Sequence, residues 1–220
     1  MDHKLWDNHS DVVQPVWNNK DNRWYFWTCR EKGDDGRRPR AVFFNDKGDP
    51  LWAIKENWGH FHNGWVANLG PNGEKLAMAA RYAIDRDNSV VFGNREWEYW
   101  VFNAFTGKEV PVPFNPLGRP FDFNGNGNHE IMVGSEITDN TGKFWGNIGS
   151  EGRIITLYKI NNDLKGEQIL AWYPDGTVRL WADRNASESK ERQEAFGSPH
   201  YQRNIKLSGV GYNRMVILNY

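Results

Sequence analysis

The chain has 220 residues, with 27 Lys+Arg against 28 Asp+Glu and a formal net charge of −1, so no global field draws it to nucleic acid or to anionic lipid. No run of 18 apolar residues is present to cross a bilayer as a helix, and a single cysteine, Cys29, excludes an intrachain disulfide framework. The 22 glycines, with abundant Asn and Asp, imply many tight turns, and the 12 tryptophans imply either an aromatic β core or platforms for stacking rings.

Taken along the chain, short aromatic and β-branched runs alternate with Gly, Asn, Asp and Pro, which predicts strands. The first unit has strands at Asp11–Trp17 and Trp24–Cys29, then a hairpin over Arg40–Ile54 turning at Asp46-Lys-Gly. Cys29 reads as a small hydrophobe in its aromatic strand. The second unit has strands at Gly64–Leu69 and Lys75–Tyr82, then a hairpin over Tyr99–Val110 turning at Thr106-Gly-Lys. A helix over Glu74–Ala83 competes with the Lys75–Tyr82 strand, which fits better. The third unit has strands at Arg119–Asp122 and Ile131–Ser135, followed by a Gly-rich loop, Gly142–Asn147, that carries Trp145. A last hairpin spans Gln168–Trp181 and turns at Asp175-Gly-Thr. Asp183–Glu194 is a solvated loop or a short helix, and Ser187–Ala195 is the other segment with a helical signal.

Successive units begin roughly 40–55 residues apart, the spacing of four-stranded propeller blades. The expected fold is therefore all-β: one domain over residues 1–220, a β-propeller of four or more four-stranded antiparallel blades, either closed or an incomplete part of a larger ring. A sandwich with irregular hairpins is the alternative. An incomplete ring leaves an open edge, which favours pairing with another chain.

The segment Asp122-Phe-Asn-Gly-Asn-Gly-Asn-His-Glu130 sets oxygen side chains at alternate positions: Asp122, Asn124, Asn126 and Asn128, closed by Glu130. Hard cations such as Ca²⁺ take six to eight oxygens, and such a loop supplies them. Strand-like runs flank it and Glu130 stands at the ninth position, so it is not the helix-flanked EF-hand loop. An Asx-rich turn without metal is the other reading. A bound ion would brace the hairpin rather than touch a substrate.

Phe121–Val133 resembles the "D-x-N/D-G-D-G-x-x-E-I" blade motif of rhamnogalacturonan lyases of polysaccharide lyase family 11. Asp163–Trp181 resembles that family's last-blade segment. Ser198-Pro-His-Tyr-Gln-Arg203 and Gly209-Val-Gly-Tyr-Asn213 are similar to its "H-D-x-x-Y-R" and "N-x-G-Y-N" endings. The family's Pro-Pro-His after the last motif is replaced here by Arg214-Met-Val. The likeness covers most of the chain as the C-terminal part of a longer domain. It implies a propeller that cleaves uronate-containing glycan by β-elimination outside the cell or in the periplasm. The alternative is a non-catalytic carbohydrate-binding or scaffolding propeller, or an inactive lyase fragment. No signal peptide is visible at Met1, so the chain reads as cytoplasmic or as a processed piece.

Such a lyase needs a group to neutralise the uronate carboxylate, a base for the C5 proton and an acid for the leaving oxygen. In a propeller, residues at the entrance of each innermost strand crowd round one mouth. Those positions read His9-Ser-Asp11, His60-Phe-His-Asn63 and Gly118-Arg119. His60 or His62 is thus the expected base or acid. Arg119 is the expected carboxylate clamp, through its planar fork. Tyr82 is a further catalytic candidate, and His9, Arg81, Trp58 and Trp145 are expected to contact the polysaccharide. Each of these residues has an ordinary structural alternative: a His can close a blade and a Trp can fill a core.

Overall fold

The repeated motif of the structure is a five-residue hairpin turn. In Asn45–Asp49, Gly70–Glu74, Asp139–Lys143 and Tyr173–Thr177, the first residue's N–H donates to the fifth residue's carbonyl, at 2.9–3.0 Å. The fourth residue's N–H donates back to the first carbonyl. The fourth residue is glycine each time, with φ between 75° and 83°, the left-handed conformation that closes a three-residue hairpin loop. A carboxylate or amide oxygen completes each of these turns: Asn45 accepts from Lys47 and Asp49, Glu74 from Asn72, Asp139 from Thr141 and Lys143, and Asp175 from Thr177. The Asn/Asp/Gly punctuation thus specifies the chain reversals directly.

The computed structural model describes residues 10–30, 39–55, 61–82 and 97–208, and the side chains of these except at 82, 207 and 208. Among the described residues, fourteen strands precede two helices. One sheet holds β1 (Ser10–Asn18), β2 (Arg23–Arg30), β3 (Ala41–Phe44) and β4 (Pro50–Ala53) in chain order. A second holds β5 (Phe61–Asn68), β6 (Lys75–Tyr82) and β7 (Trp97–Asn103), extended by a bridge between Phe102 and Glu109. A third holds β8 (Arg119–Phe121), β9 (Glu130–Val133), β10 (Glu136–Thr138) and β11 (Phe144–Asn147). A fourth holds β12 (Arg153–Tyr158), β13 (Gln168–Trp172) and β14 (Val178–Trp181). The paired strands run antiparallel wherever register is defined. The Lys75–Tyr82 segment is the strand the sequence favours over a helix. Its partners bury Leu76 to Arg81 on both faces, which explains its unbroken small apolar run.

Two expectations are corrected. The Gly-rich segment around Trp145 is the edge strand β11, not a loop, because Gly146 pairs opposite Ile137 and Asn147 opposite Glu136. The C-terminal part is more helical than expected: α1 (Lys190–Gly197) overlaps the helix candidate Ser187–Ala195 and runs two residues past it, and α2 (Pro199–Ser208) lies where only a family-like ending was read. Ser189 caps α1 by accepting from Arg192 N, and Ser198 caps the turn into α2 by accepting from Tyr201 N, with Pro199 at the first helical position.

The chain divides into two compact units. The first contains β1–β4, β5 up to Val66, β6 and β7; the second contains the turn 67–74, the remaining strands and both helices. The core of the first unit is aromatic. Trp27, Phe43 and Phe61 are fully buried among Val12, Val16, Val66, Ala77 and Ala79. Phe43 stacks on Trp52 at 5.6 Å and on Tyr25 at 5.7 Å. The indole N–H groups are satisfied across the sheets, Trp27 by the Met78 carbonyl at 3.1 Å and Trp52 by the Ala104 carbonyl at 2.8 Å. Small residues are required where the sheets approach: a Cβ on Gly64 would lie 2.5 Å from Cys29 Sγ. The second unit's core gathers Phe121, Phe123, Met132, Ile137, Ile148, Leu157, Ile169 and Tyr173.

Candidate functional site

In the first unit, Asp11 and His62 each occupy the second position of their strand, β1 and β5. His62 Nδ1 lies 2.8 Å from Asp11 Oδ2. A carboxylate can only accept, so the imidazole carries its proton on Nδ1 and, when neutral, its lone pair on Nε2. Asp11 is buried, whereas 26% of the His62 side chain is exposed. Three residues further along β1, the Gln14 amide clasps Val66 of β5, donating to its carbonyl and accepting from its N–H, both at 2.8 Å. This clasp fixes the two strand entrances side by side and so orients the His–Asp pair. His62 and Asp11, each near the entrance of its strand, are thereby held as a pair.

The remaining candidates are placed as follows. His9, Trp58 and His60 lie outside the described residues, and Tyr82 ends β6. Arg81 is buried: its Nε donates to Glu98 at 2.6 Å, and its guanidinium lies over Trp100 and Phe61. It braces the sheet, which is a different task from the expected glycan contact. Arg119 opens β8 in the second unit, half-buried and paired with Met132.

The Asp122–Glu130 loop lies wholly in the second unit. Asp122 is fully buried and forms an ion pair with Arg192 from α1; its oxygens also accept from Gly127 N at 3.2 Å. Glu130 folds back into the loop, accepting from Phe123 N at 2.9 Å and from the Asn124 amide at 2.6 Å. Asn124 accepts from Asn126 N, and Asn126 from Asn128 N. The side-chain oxygens of Asp122, Asn124, Asn126 and Glu130 are thus engaged within the loop, and a guanidinium sits against Asp122. Among the described residues, no group of three or more His, Cys, Asp or Glu side chains converges as metal ligands.

Behind the loop lies a buried ionic network. Glu167 accepts from Asp122 N and from the Tyr201 hydroxyl, both at 2.7 Å. Tyr201 in turn accepts from Lys159 N at 2.8 Å, and the Lys159 ammonium pairs with Glu188. Burial pushes the Glu130 carboxyl up to about 8, reinforced by the Asp122 charge, and pushes Glu167 up to about 7. Burial also pushes Asp122 up, against the pull of Arg192. The network was not foreseen: Arg192, Glu167 and Tyr201 are separated widely in sequence, and only the helices bring Arg192 and Tyr201 to the loop.

Beside the loop, also within the second unit, a cleft of about 690 Å³ opens between β11 and the segment that follows β14. Trp145 and Asn147 line one side, Trp181, Asp183 and Arg184 another, and Asn126 the end nearest the loop. Trp145 is 43% exposed. The Trp181 ring is held by its Nε1 donating to the Tyr173 hydroxyl at 2.8 Å.

No family model matches the sequence, and no curated protein matches it significantly. Among solved structures, the chain is similar to the crystal structure of the exotype rhamnogalacturonan lyase YesX, with a TM-score of 0.66. The match has 12% sequence identity and covers 96% of this chain and 37% of that chain. At that identity the likeness shows a shared fold, here an all-β arrangement of antiparallel sheets.

Proposed function

We propose that this chain is a module of blade-like sheets from a β-propeller that cleaves uronate-containing glycan by β-elimination. The observation that carries this reading is the fold likeness to a rhamnogalacturonan lyase over 96% of the chain. The spacing of the sheets supports it: the bonds that join β1, β2 and β4 to the following sheet link residues 51 or 52 apart, a regular blade interval. The chain spans little more than a third of that lyase, so the activity is assigned to the module together with whatever sequence accompanies it.

In this reading His62 is the base. Asp11 holds the Nδ1 proton and stabilises the imidazolium formed when Nε2 takes the C5 proton of a uronate. The C4–O bond then breaks, a C4–C5 double bond forms, and the leaving oxygen receives a proton from an acid. We assign Arg192, rather than Ca²⁺, as the resident cation of the Asp122–Glu130 loop, because its guanidinium already neutralises the buried Asp122.

The experiment is to incubate the protein with rhamnogalacturonan and with other uronate-containing glycans, following the ultraviolet absorbance of the unsaturated product. Turnover is expected, and His62→Ala is expected to lower kcat by about 100-fold or more. Absence of product from every such glycan rejects the lyase assignment; full activity in the variant rejects His62 as its base.

A further inference from the structure

We infer that the cleft between β11 and the segment following β14 is a glycan-binding subsite, with Trp145 as the stacking platform and Arg184 as the reader of an acidic sugar. The class of glycan rests on the lyase reading above; the subsite itself rests on the cleft. A pyranose has an apolar C–H face and a rim of hydroxyls. Its recognition calls for an exposed aromatic face surrounded by planar polar groups at a concave surface. The cleft supplies this combination. Trp145 is exposed in a cleft of about 690 Å³, room for one or two sugar rings. Asn126, Asn147 and Asp183 carry amide and carboxylate groups around it, and Arg184 is exposed at its margin.

The walls are prepared for a rigid ligand. The Tyr173 hydroxyl that holds Trp181 itself donates to the Ile148 carbonyl at 2.6 Å, so both indole-bearing walls are tied to one buried side chain. Asp183 accepts from Asn185 N at 2.8 Å, and its carbonyl accepts from Ala186 N at 3.1 Å, which holds the Arg184 segment in a tight turn. Little ordering is left for binding to impose, which favours affinity. A purely apolar ligand would leave the amides and the Asp183 carboxylate unsatisfied. The near-neutral chain, with Asp183 beside Arg184, does not provide the basic track of a nucleic-acid groove.

The test uses the full chain carrying His62→Ala, so that no substrate is consumed. Acidic rhamnogalacturonan oligosaccharide and a neutral galactan oligosaccharide are titrated by calorimetry and by tryptophan fluorescence. Both ligands are expected to bind, the acidic one more tightly. Trp145→Ala should weaken both by about tenfold or more, in line with one lost ring-stacking contact. Arg184→Ala should weaken only the acidic one. Because both side chains are exposed, neither change should move the thermal midpoint, which separates lost binding from lost folding. Unchanged affinity in Trp145→Ala, or no binding of either ligand, overturns the subsite. The two readings fail separately: Trp145-dependent binding without turnover in the parent keeps the subsite and rejects the lyase, and turnover with Trp145-independent binding does the reverse.

Discussion

Arg192 and Asp122 lie 70 residues apart, yet they form an ion pair at the buried start of the Asx loop. Asp122 has no exposure at all, and a carboxylate in that position needs a cation or a proton. Replacing Arg192 by Met keeps an unbranched apolar stem and removes the guanidinium that lies over Phe196 and pairs with Asp122. The expected loss is about 3–5 kcal/mol in denaturant unfolding, the usual consequence of leaving one half of a buried pair alone. Calorimetry gives the complementary result: millimolar Ca²⁺ should leave the parent midpoint unchanged, since a ligand stabilises only when it binds the native state. A rise of the parent midpoint that chelator reverses would restore the cation to the loop. The Asp/Asn alternation was readable in the sequence, because those residues must repeat closely to bond one another's backbone. Arg192 was not, because one arginine within a charged helix carries no mark of its partner.

At the scale of elements, the turns were the most legible part. Asn45–Asp49 and Tyr173–Thr177 fold locally, so their information sits in five consecutive residues; Asp139–Lys143 is equally local but was read only as the approach to a Gly-rich loop. Their glycines also separate two kinds of constraint. Gly176 has a φ of 83° with nothing near its missing Cβ, whereas Gly142 has a φ of 80° with the Pro113 carbonyl 2.3 Å from that position. Gly176→Ala should therefore lose about 1–2 kcal/mol, the cost of left-handed backbone alone. Gly142→Ala should lose clearly more, because backbone must move to admit the methyl. Thermal melts of the two variants check the ordering, and equal losses would show that the Pro113 contact is soft. Less legible were β11 and α2. Phe144 and Trp145 are exposed on an edge strand, so no buried face marks them as strand. The α2 segment Pro199–Ser208 carries a cap and a proline, but its anchor, Tyr201, finds its partners on Lys159 and Glu167, far outside the helix. Only the tertiary structure makes that tyrosine a core residue.

For the whole molecule, the meander of hairpins followed from local signals. His62 was marked in the sequence as a strand-entrance residue, but its pairing with Asp11 was not, and the clasp of Gln14 on Val66 left no trace in composition or period. The buried carboxylates give the molecule a pH dependence that its near-zero net charge would not suggest. Glu130 and Glu167 have folded-state values raised to about 8 and about 7, above those of an unfolded chain. The folded protein therefore holds protons that the unfolded chain has released, and stability falls as pH rises across that interval. The contribution is fully present below about pH 4.5, near the ordinary value of a glutamate. It is lost through pH 7 and 8, as Glu167 and then Glu130 ionise. The combined loss is on the order of a few kcal/mol, enough to lower the unfolding midpoint by several degrees between pH 5 and pH 8.5. Glu130→Gln keeps an acceptor for the Phe123 and Asn124 N–H groups and has no proton to release, so its midpoint should vary less over the upper part of that range. If parent and variant decline in parallel between pH 7 and 8.5, Glu130 is ionised throughout and the alkaline loss must be assigned to another group.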